Sequence, residues 1–199
     1  MKINLGVDRL PEVTGMPSGR QPYLGGIMEF GGFIADMDRA QFEARSGRLG
    51  TDPHVEVCIP TFHDPSLAPE GRHAASAFAL CAPIGATQPE RVRLRDEMAE
   101  RIVERVAAVA PNFPDAIERQ IAYPAYSYEL MFGCTGGDFT HALLHPEQMG
   151  AFRPGPRGWR DLEVPIGGLY LCGAGCHGGP GVTFIPGYNA GHAVLDAVG

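Results

Sequence analysis

The segment QPERVRLRDEMAERIVERVAAVAPNF, residues 88–113, limits the folds open to this chain more than any other. Val92, Met98, Ile102, Val106 and Val109 recur near the helical period and make one apolar stripe. Arg and Glu fill the opposite face. The spacing predicts a helix over 89–110, ended by Pro111 and Pro114. Glu97 and Arg101 form a supporting pair four residues apart, and Glu100 and Glu104 an opposing one. Arg91, Arg93 and Arg95 read as a solvated face. A helix with a single stripe must bury it against another layer.

Alternating segments supply that layer. In residues 2–8, Ile3, Leu5 and Val7 face one side. Residues 23–30 read as a second strand with a glycine interruption. Val55, Val57 and Ile59 alternate in a strand at 54–62, and the small apolar run 73–82 reads as its hairpin partner. Residues 36–50 read as a short helix with Asp36 as N-cap and Gly47 or Gly50 as the stop. Residues 115–132 begin as a short helix and turn strand-like at Ile121–Tyr123. Residues 165–175 read as a strand running into glycines. Residues 187–199 close the chain as a helix, with Ala190, Ala193, Val194 and Ala197 inward. The expected fold is mixed α/β (α+β), with a mostly antiparallel sheet, covering helices and a C-terminal strand–glycine-loop–helix unit. The expected division is 1–164 and 165–199.

Charge and cysteine usage narrow the function classes. Net charge is −7 with 16 Lys and Arg, and no basic cluster stands out, which argues against nucleic-acid binding. The first residues lack an apolar leader core, and no apolar run reaches the length of a membrane span, so the expected location is cytoplasmic. Five cysteines without regular spacing fit reduced thiols. Cys172, Cys176 and His177 spell C-x-x-x-C-H, one residue longer than the haem-attachment pattern. A zinc site would need further ligands, and there is no second C-x-x-C. His141 and His145 stand four apart without the glutamate of H-E-x-x-H. No metal site is expected, and Cys172 reads as a small buried hydrophobe at a strand end.

Between the last strand and the last helix lie Gly173, Gly175, Gly178, Gly179, Gly181 and Gly187. Glycines let backbone N–H groups approach a ligand closely, and a following helix start favours negative charge. That suits a phosphate, a pyrophosphate or the electron-rich edge of a flavin. It equally suits a tight connection with no ligand.

The text GLYLCGAGCHGGPGVTFIPGYNAGHAVL resembles the C-terminal flavin segment of the phytoene-desaturase-like FAD-dependent oxidoreductases. KINLGVDRLPE, VEVCIPTFHDPSLAPEGRHAAS, GCTGGDFTHALLHPEQM, and FRP followed by Gly158-Trp159 resemble the same family in its usual order. The resemblance implies that Gly173, Ala174, Gly175, Gly179, Gly181 and Val182 lie along FAD. It also implies a hydrophobic small-molecule substrate. His141 and His177 match family histidines and are candidate acid–base residues, with Asp138 a candidate pocket carboxylate or a cap. Tyr123, Tyr126 and Tyr128 read as a packing group, and Trp159 as an anchor for the last strand. Cys176, Gly178 and Pro180 depart from the family's usual residues, and Pro180 removes a donor.

The strand–G-x-G-x-x-G–helix unit with which the family opens is not met; Gly25-Gly26 and Gly31-Gly32 do not form it. The chain is therefore expected to match the C-terminal half only. Three readings follow. It is a subunit that gains FAD only with a dinucleotide-binding partner, a free-standing cofactor-independent domain (isomerase, cyclase or lyase), or an inactive remnant. Alone it is expected to hold no cofactor, and to form a homodimer or a heteromer that covers its apolar surface.

Overall fold

In a computed structural model describing residues 1–141, 144–153 and 164–199, the chain divides into two compact units, Met1–Leu130 and Met131–Gly199. The alternating segments build one sheet in the first unit. Its strands are β1 (Lys2–Val7), β2 (Met28–Phe30), β3 (Val55–Cys58), β4 (His73–Ala79) and β5 (Ile117–Tyr123). Their order is β2-β3-β4-β1-β5, and every pair is antiparallel. The helices are α1 (Ile34–Arg45), α2 (Gln88–Ala107), α3 (Phe113–Ala116), α4 (Ala125–Phe132) and α5 (Ile185–Val198). The mixed α/β class expected from the sequence is the class observed.

One sheet face and α2 make the core. Ile3, Val7, Val55 and Val57 are fully buried. Ala77 of β4 lies opposite Ile3 on one side and Val57 on the other. The alanines of β4 thus leave space for the branched side chains that flank them. The stripe of α2 that reaches this core is Leu94, Met98, Ile102 and Val106, at a strict spacing of four. Val92 and Val109 lie off that stripe, and Val109 is exposed. Burying a side chain such as Ile102 contributes about 1.5–3 kcal/mol.

The ends of α2 follow from local chemistry. The Thr87 hydroxyl accepts the Glu90 N–H at 3.4 Å, and the Glu90 carboxylate accepts the Ala86 N–H at 2.8 Å. Glu97 pairs with Arg93, at 2.9 and 3.0 Å, and not with Arg101. Arg101 instead donates to the Leu49 and Gly50 carbonyls. Arg91 likewise leaves the solvated face, donating to the Gly85 carbonyl at 2.8 Å.

Several boundaries differ from the sequence expectation. Asp36 is not the N-cap of α1 but sits in its first turn, where it accepts the Phe33 N–H at 2.8 Å. The helix stops before Gly47, whose φ of +74° is one that glycine adopts freely. Pro22–Gly25 is a 3-10 turn, leaving only Met28–Phe30 as strand. A Cβ on Gly25 would lie 2.7 Å from the Phe62 ring, so this turn requires glycine. β5 is longer than expected because it is an edge strand with four consecutive exposed residues, which erases the alternation that marks a strand.

The second unit is built from tight turns at Thr135–Gly137, Pro146–Gln148 and Gly150–Phe152, followed by α5. The strand expected at 165–175 does not form a ladder among the described residues. The Leu169 N–H instead closes a turn onto the Ile166 carbonyl at 3.1 Å, and Gly168 takes φ +77°. A strand needs a hydrogen-bonded neighbour, and no described segment provides one. On α5, Ala190 is buried and Ala193 half-buried, but Val194 and Ala197 are exposed. Trp159 and the 155–158 glycines lie outside the described residues.

Candidate functional site

The sequence-predicted site residues all fall in the second unit, where they group around two cavities. The first, of about 330 Å3, is lined by Cys172, Gly173, Ala174, Gly179, Gly181, Val182, Thr183, Phe184, Pro186 and Gly187. Of the six residues expected along a flavin, only Gly175 is not in this lining. Gly175 instead packs toward the His141 carbonyl, which a Cβ would meet at 3.3 Å.

The glycines of this loop do different work. A Cβ on Gly179 would lie 2.6 Å from the Ala174 carbonyl oxygen, and one on Gly178 would lie 2.5 Å from Ile185. Those two let the loop fold on itself. Gly173 and Gly187 face open space, so their backbones are free to be approached. The loop is also strained. Val182 and Phe184 take φ of +53° and +62°, costing about 1–2 kcal/mol each for L-residues. Both side chains point outward, 88% and 81% exposed.

The start of α5 is a weaker anion site than its sequence implies. Thr183 Oγ1 accepts the Ile185 N–H at 3.3 Å while donating to the Gly178 carbonyl at 2.7 Å. Pro186 has no N–H, and the Tyr188 N–H turns back onto the Phe184 carbonyl. Gly187 is left as the one first-turn amide without a partner among the described residues. One open amide, glycine faces and apolar neighbours fit a flat ring edge better than a phosphate chain. At this size the cavity has room for part of a dinucleotide cofactor only.

Gly173-Ala174-Gly175-Cys176-His177-Gly178 also spells G-x-G-x-x-G, so the string expected to be absent is present. The dinucleotide-binding unit is not formed there. No ladder precedes the glycines, and α5 begins only at Ile185, well past the third glycine.

The second cavity, of about 790 Å3, is lined by Phe132, Gly133, Cys134, Thr135, Gly136, Asp138, His141 and Gln148. Gly136 and Gly137, at φ +65° and +71°, turn the chain so that Asp138 follows directly. Asp138 Oδ1 accepts both the N–H and the hydroxyl of Thr140, at 2.8 and 2.5 Å. This is the cap that the sequence allowed, and Asp138 lines the cavity as well. His141 sits at φ +59° with its side chain exposed.

His177 lines neither cavity. Its Nδ1 lies 2.7 Å from the Gly150 carbonyl, so Nδ1 carries the proton and donates. Cys172 is exposed, and Cys176 is the buried thiol, the reverse of the expectation for Cys172. Burial pushes the Cys176 thiol up, the neighbouring Cys172 pushes it the same way, and Arg153 draws it down. Among the described residues, no group of three His, Cys, Asp or Glu could hold a metal ion. No described helix is long and apolar enough to cross a membrane.

Sequence reasoning missed Arg153. It is 1% exposed. Its Nη1 donates to the Thr140 carbonyl at 3.2 Å and the Ala174 carbonyl at 2.8 Å, and its Nε donates to the Gln148 carbonyl at 3.2 Å. One guanidinium thus ties together the Asp138 turn, the 146–148 turn and the glycine loop. The only sequence signal was its place in FRP, since a buried arginine looks like any other charge in a composition.

No protein-family model matches the chain. It is 32% identical over 201 residues to pyridine nucleotide-disulfide oxidoreductase domain-containing protein 2 of Rattus norvegicus, covering 98% of this chain and 34% of that protein. It is 30% identical over 148 residues to a limonene dehydrogenase polypeptide of Castellaniella defragrans, covering 72% of this chain and 27% of that protein. It is 32% identical over 147 residues to phytoene dehydrogenase of Streptomyces griseus, covering 71% and 27%. The chain spans about a third of the length of the first of these relatives. These likenesses to oxidoreductase domain proteins and phytoene-desaturase-like enzymes support a FAD-type oxidoreductase family for the chain.

Proposed function

We propose that this chain is the substrate-binding and flavin-capping half of a phytoene-desaturase-like FAD-dependent oxidoreductase, completed by a separate dinucleotide-binding partner. Residues 1–164 form the substrate side and 165–199 the cap. The observation that carries this reading is the glycine-walled cavity with its single open amide at Gly187. Gly173, Ala174, Gly179, Gly181 and Val182 border the flavin there, and Gly175 sets the turn behind them. Bound FAD would supply hydride acceptance. His141 and Asp138 hold and move a proton at a hydrophobic substrate in the larger cavity. His177 keeps the loop in place through Gly150. A partner, either a second copy or a flavin-binding chain, covers exposed apolar residues such as Val182, Phe184, Leu195 and Val198.

The test is flavin capture. The chain alone is expected to stay colourless after incubation with FAD and gel filtration, because most of the ADP contacts belong to the dinucleotide-binding unit. Together with a G-x-G-x-x-G partner chain it is expected to retain flavin absorbance. Tight flavin binding by the chain alone would refute the need for a partner.

One observation favours a second reading, a free-standing domain that binds or converts a hydrophobic molecule without a cofactor. The larger cavity is walled without any flavin-loop residue. Absence of flavin under every condition, together with tight binding of an apolar ligand, is the result that reading requires.

A further inference from the structure

The larger cavity of the second unit contains a carboxylate that is only half used. Asp138 Oδ1 is committed to Thr140, but Oδ2 has no partner among the described residues. The His141 ring also has no hydrogen-bond partner there. Both groups line the same space as Thr135 and Phe132. In the empty cavity, water satisfies them. A ligand that fills the space strips that water away. Covering an ionised carboxylate with hydrocarbon alone is costly, and covering it with another carboxylate adds repulsion.

We infer that this cavity selects an amphipathic ligand: an apolar body carrying an O–H or N–H donor, which sits on Asp138 Oδ2. The volume of about 790 Å3 accommodates a body of drug-like size or larger. The donor head replaces the water lost from the carboxylate, and a charge-assisted hydrogen bond is the stronger kind. His141 lines the same space, where its imidazole can donate to or accept from the head group. A plain hydrocarbon and a fatty acid are both disfavoured by the same carboxylate. The inference rests on the reading that substrate enters this cavity, and it names the class of that substrate.

Cys134 lines the cavity and reports occupancy by its rate of alkylation, read by peptide mass spectrometry on the full chain. Cys172, in the other cavity, is the internal control. The probes are 1-octanol, octylammonium, octane and octanoate, all without flavin. Octanol and octylammonium are expected to protect Cys134 at concentrations about tenfold lower than octane or octanoate, with Cys172 unaffected. Asp138→Asn keeps the acceptor that holds Thr140 and removes the charge, so it should erase the advantage of octylammonium and improve octanoate. His141→Asn tolerates the left-handed backbone and should reduce protection by octanol. Equal protection by octane or octanoate, no protection by any probe, or an unchanged ranking in Asp138→Asn would each overturn the inference. Because no flavin is present, these results stand apart from the flavin-capture test.

Discussion

The two units of this chain are stabilised by different means. Met1–Leu130 has a sheet, a covering helix and a core in which Ile3, Val7, Val55, Val57, Ile102 and Phe113 are fully buried. Met131–Gly199 has no ladder among its described residues, and its buried groups are few: Arg153, Cys176, Pro186, Ala190 and Gly137. Hydrophobic burial holds the first unit. The second depends on one guanidinium, glycine turns and side-chain caps. Burial of side chains of ordinary size tolerates sequence change if volume is kept. A polar clasp does not, because each lost donor leaves an acceptor unsatisfied. Both candidate cavities belong to the unit with the smaller core, and its apolar residues face outward.

The sharpest break between the units is a pair of truncations. Phe113→Ala should cost about 3–5 kcal/mol in denaturant unfolding. Leu195→Ala, on the exposed face of α5, should stay within about 0.5 kcal/mol for the isolated chain. Equal losses would mean that α5 is as deeply held as the core. Arg153→Met comes next. It should cost about 1–3 kcal/mol and act locally, raising hydrogen exchange at 140–178 and leaving β1 and β4 protected. Loss of protection in β1 and β4 as well would show that the two units unfold together. Val182→Gly should have a smaller effect of opposite sign. Relief of the left-handed strain should raise stability by up to about 1 kcal/mol, less the entropy that glycine adds to the unfolded chain. A destabilised variant would show that Val182 is packed in solution.

The smallest expected effect is a pH dependence in the first unit. Burial holds His73, at the start of β4, below the usual histidine range, and Arg20 adds to this. The fold therefore prefers neutral His73. Its contribution is fully present above the ordinary value near 6.5 and is lost as pH falls from there through the depressed folded value. His73→Gln should flatten that slope. A slope unchanged in the variant would assign the dependence to other groups.

The sheet was readable wherever one face is buried and the other is not. Ile3, Leu5 and Val7 alternate because β1 is central, and α2 shows its stripe because it covers the sheet. β5 was mostly hidden because an edge strand has no buried partner on one side and no need to alternate. The site was readable as a glycine-rich segment with two histidines, but not as two cavities. Nor did the letters tell Gly179, needed for self-packing, from Gly187, left open to a ligand. Arg153 and the exchanged exposures of Cys172 and Cys176 were equally hidden, because burial of a side chain is a property of its neighbours.

Local order was therefore determined by the sequence itself. The period of α2, the alternation of β1, β3 and β4, and the cap at Thr87 each depend on residues a few positions apart, and such interactions are encoded along the chain. Tertiary structure decided the rest. It chose Leu94–Val106 as the buried stripe, turned 165–175 away from any ladder and placed a buried arginine at the meeting point of three loops. It also left Asp138 Oδ2 and the Gly187 amide open. Each depends on groups distant in sequence competing for the same space or the same hydrogen bond, and that competition is settled only when the chain is folded.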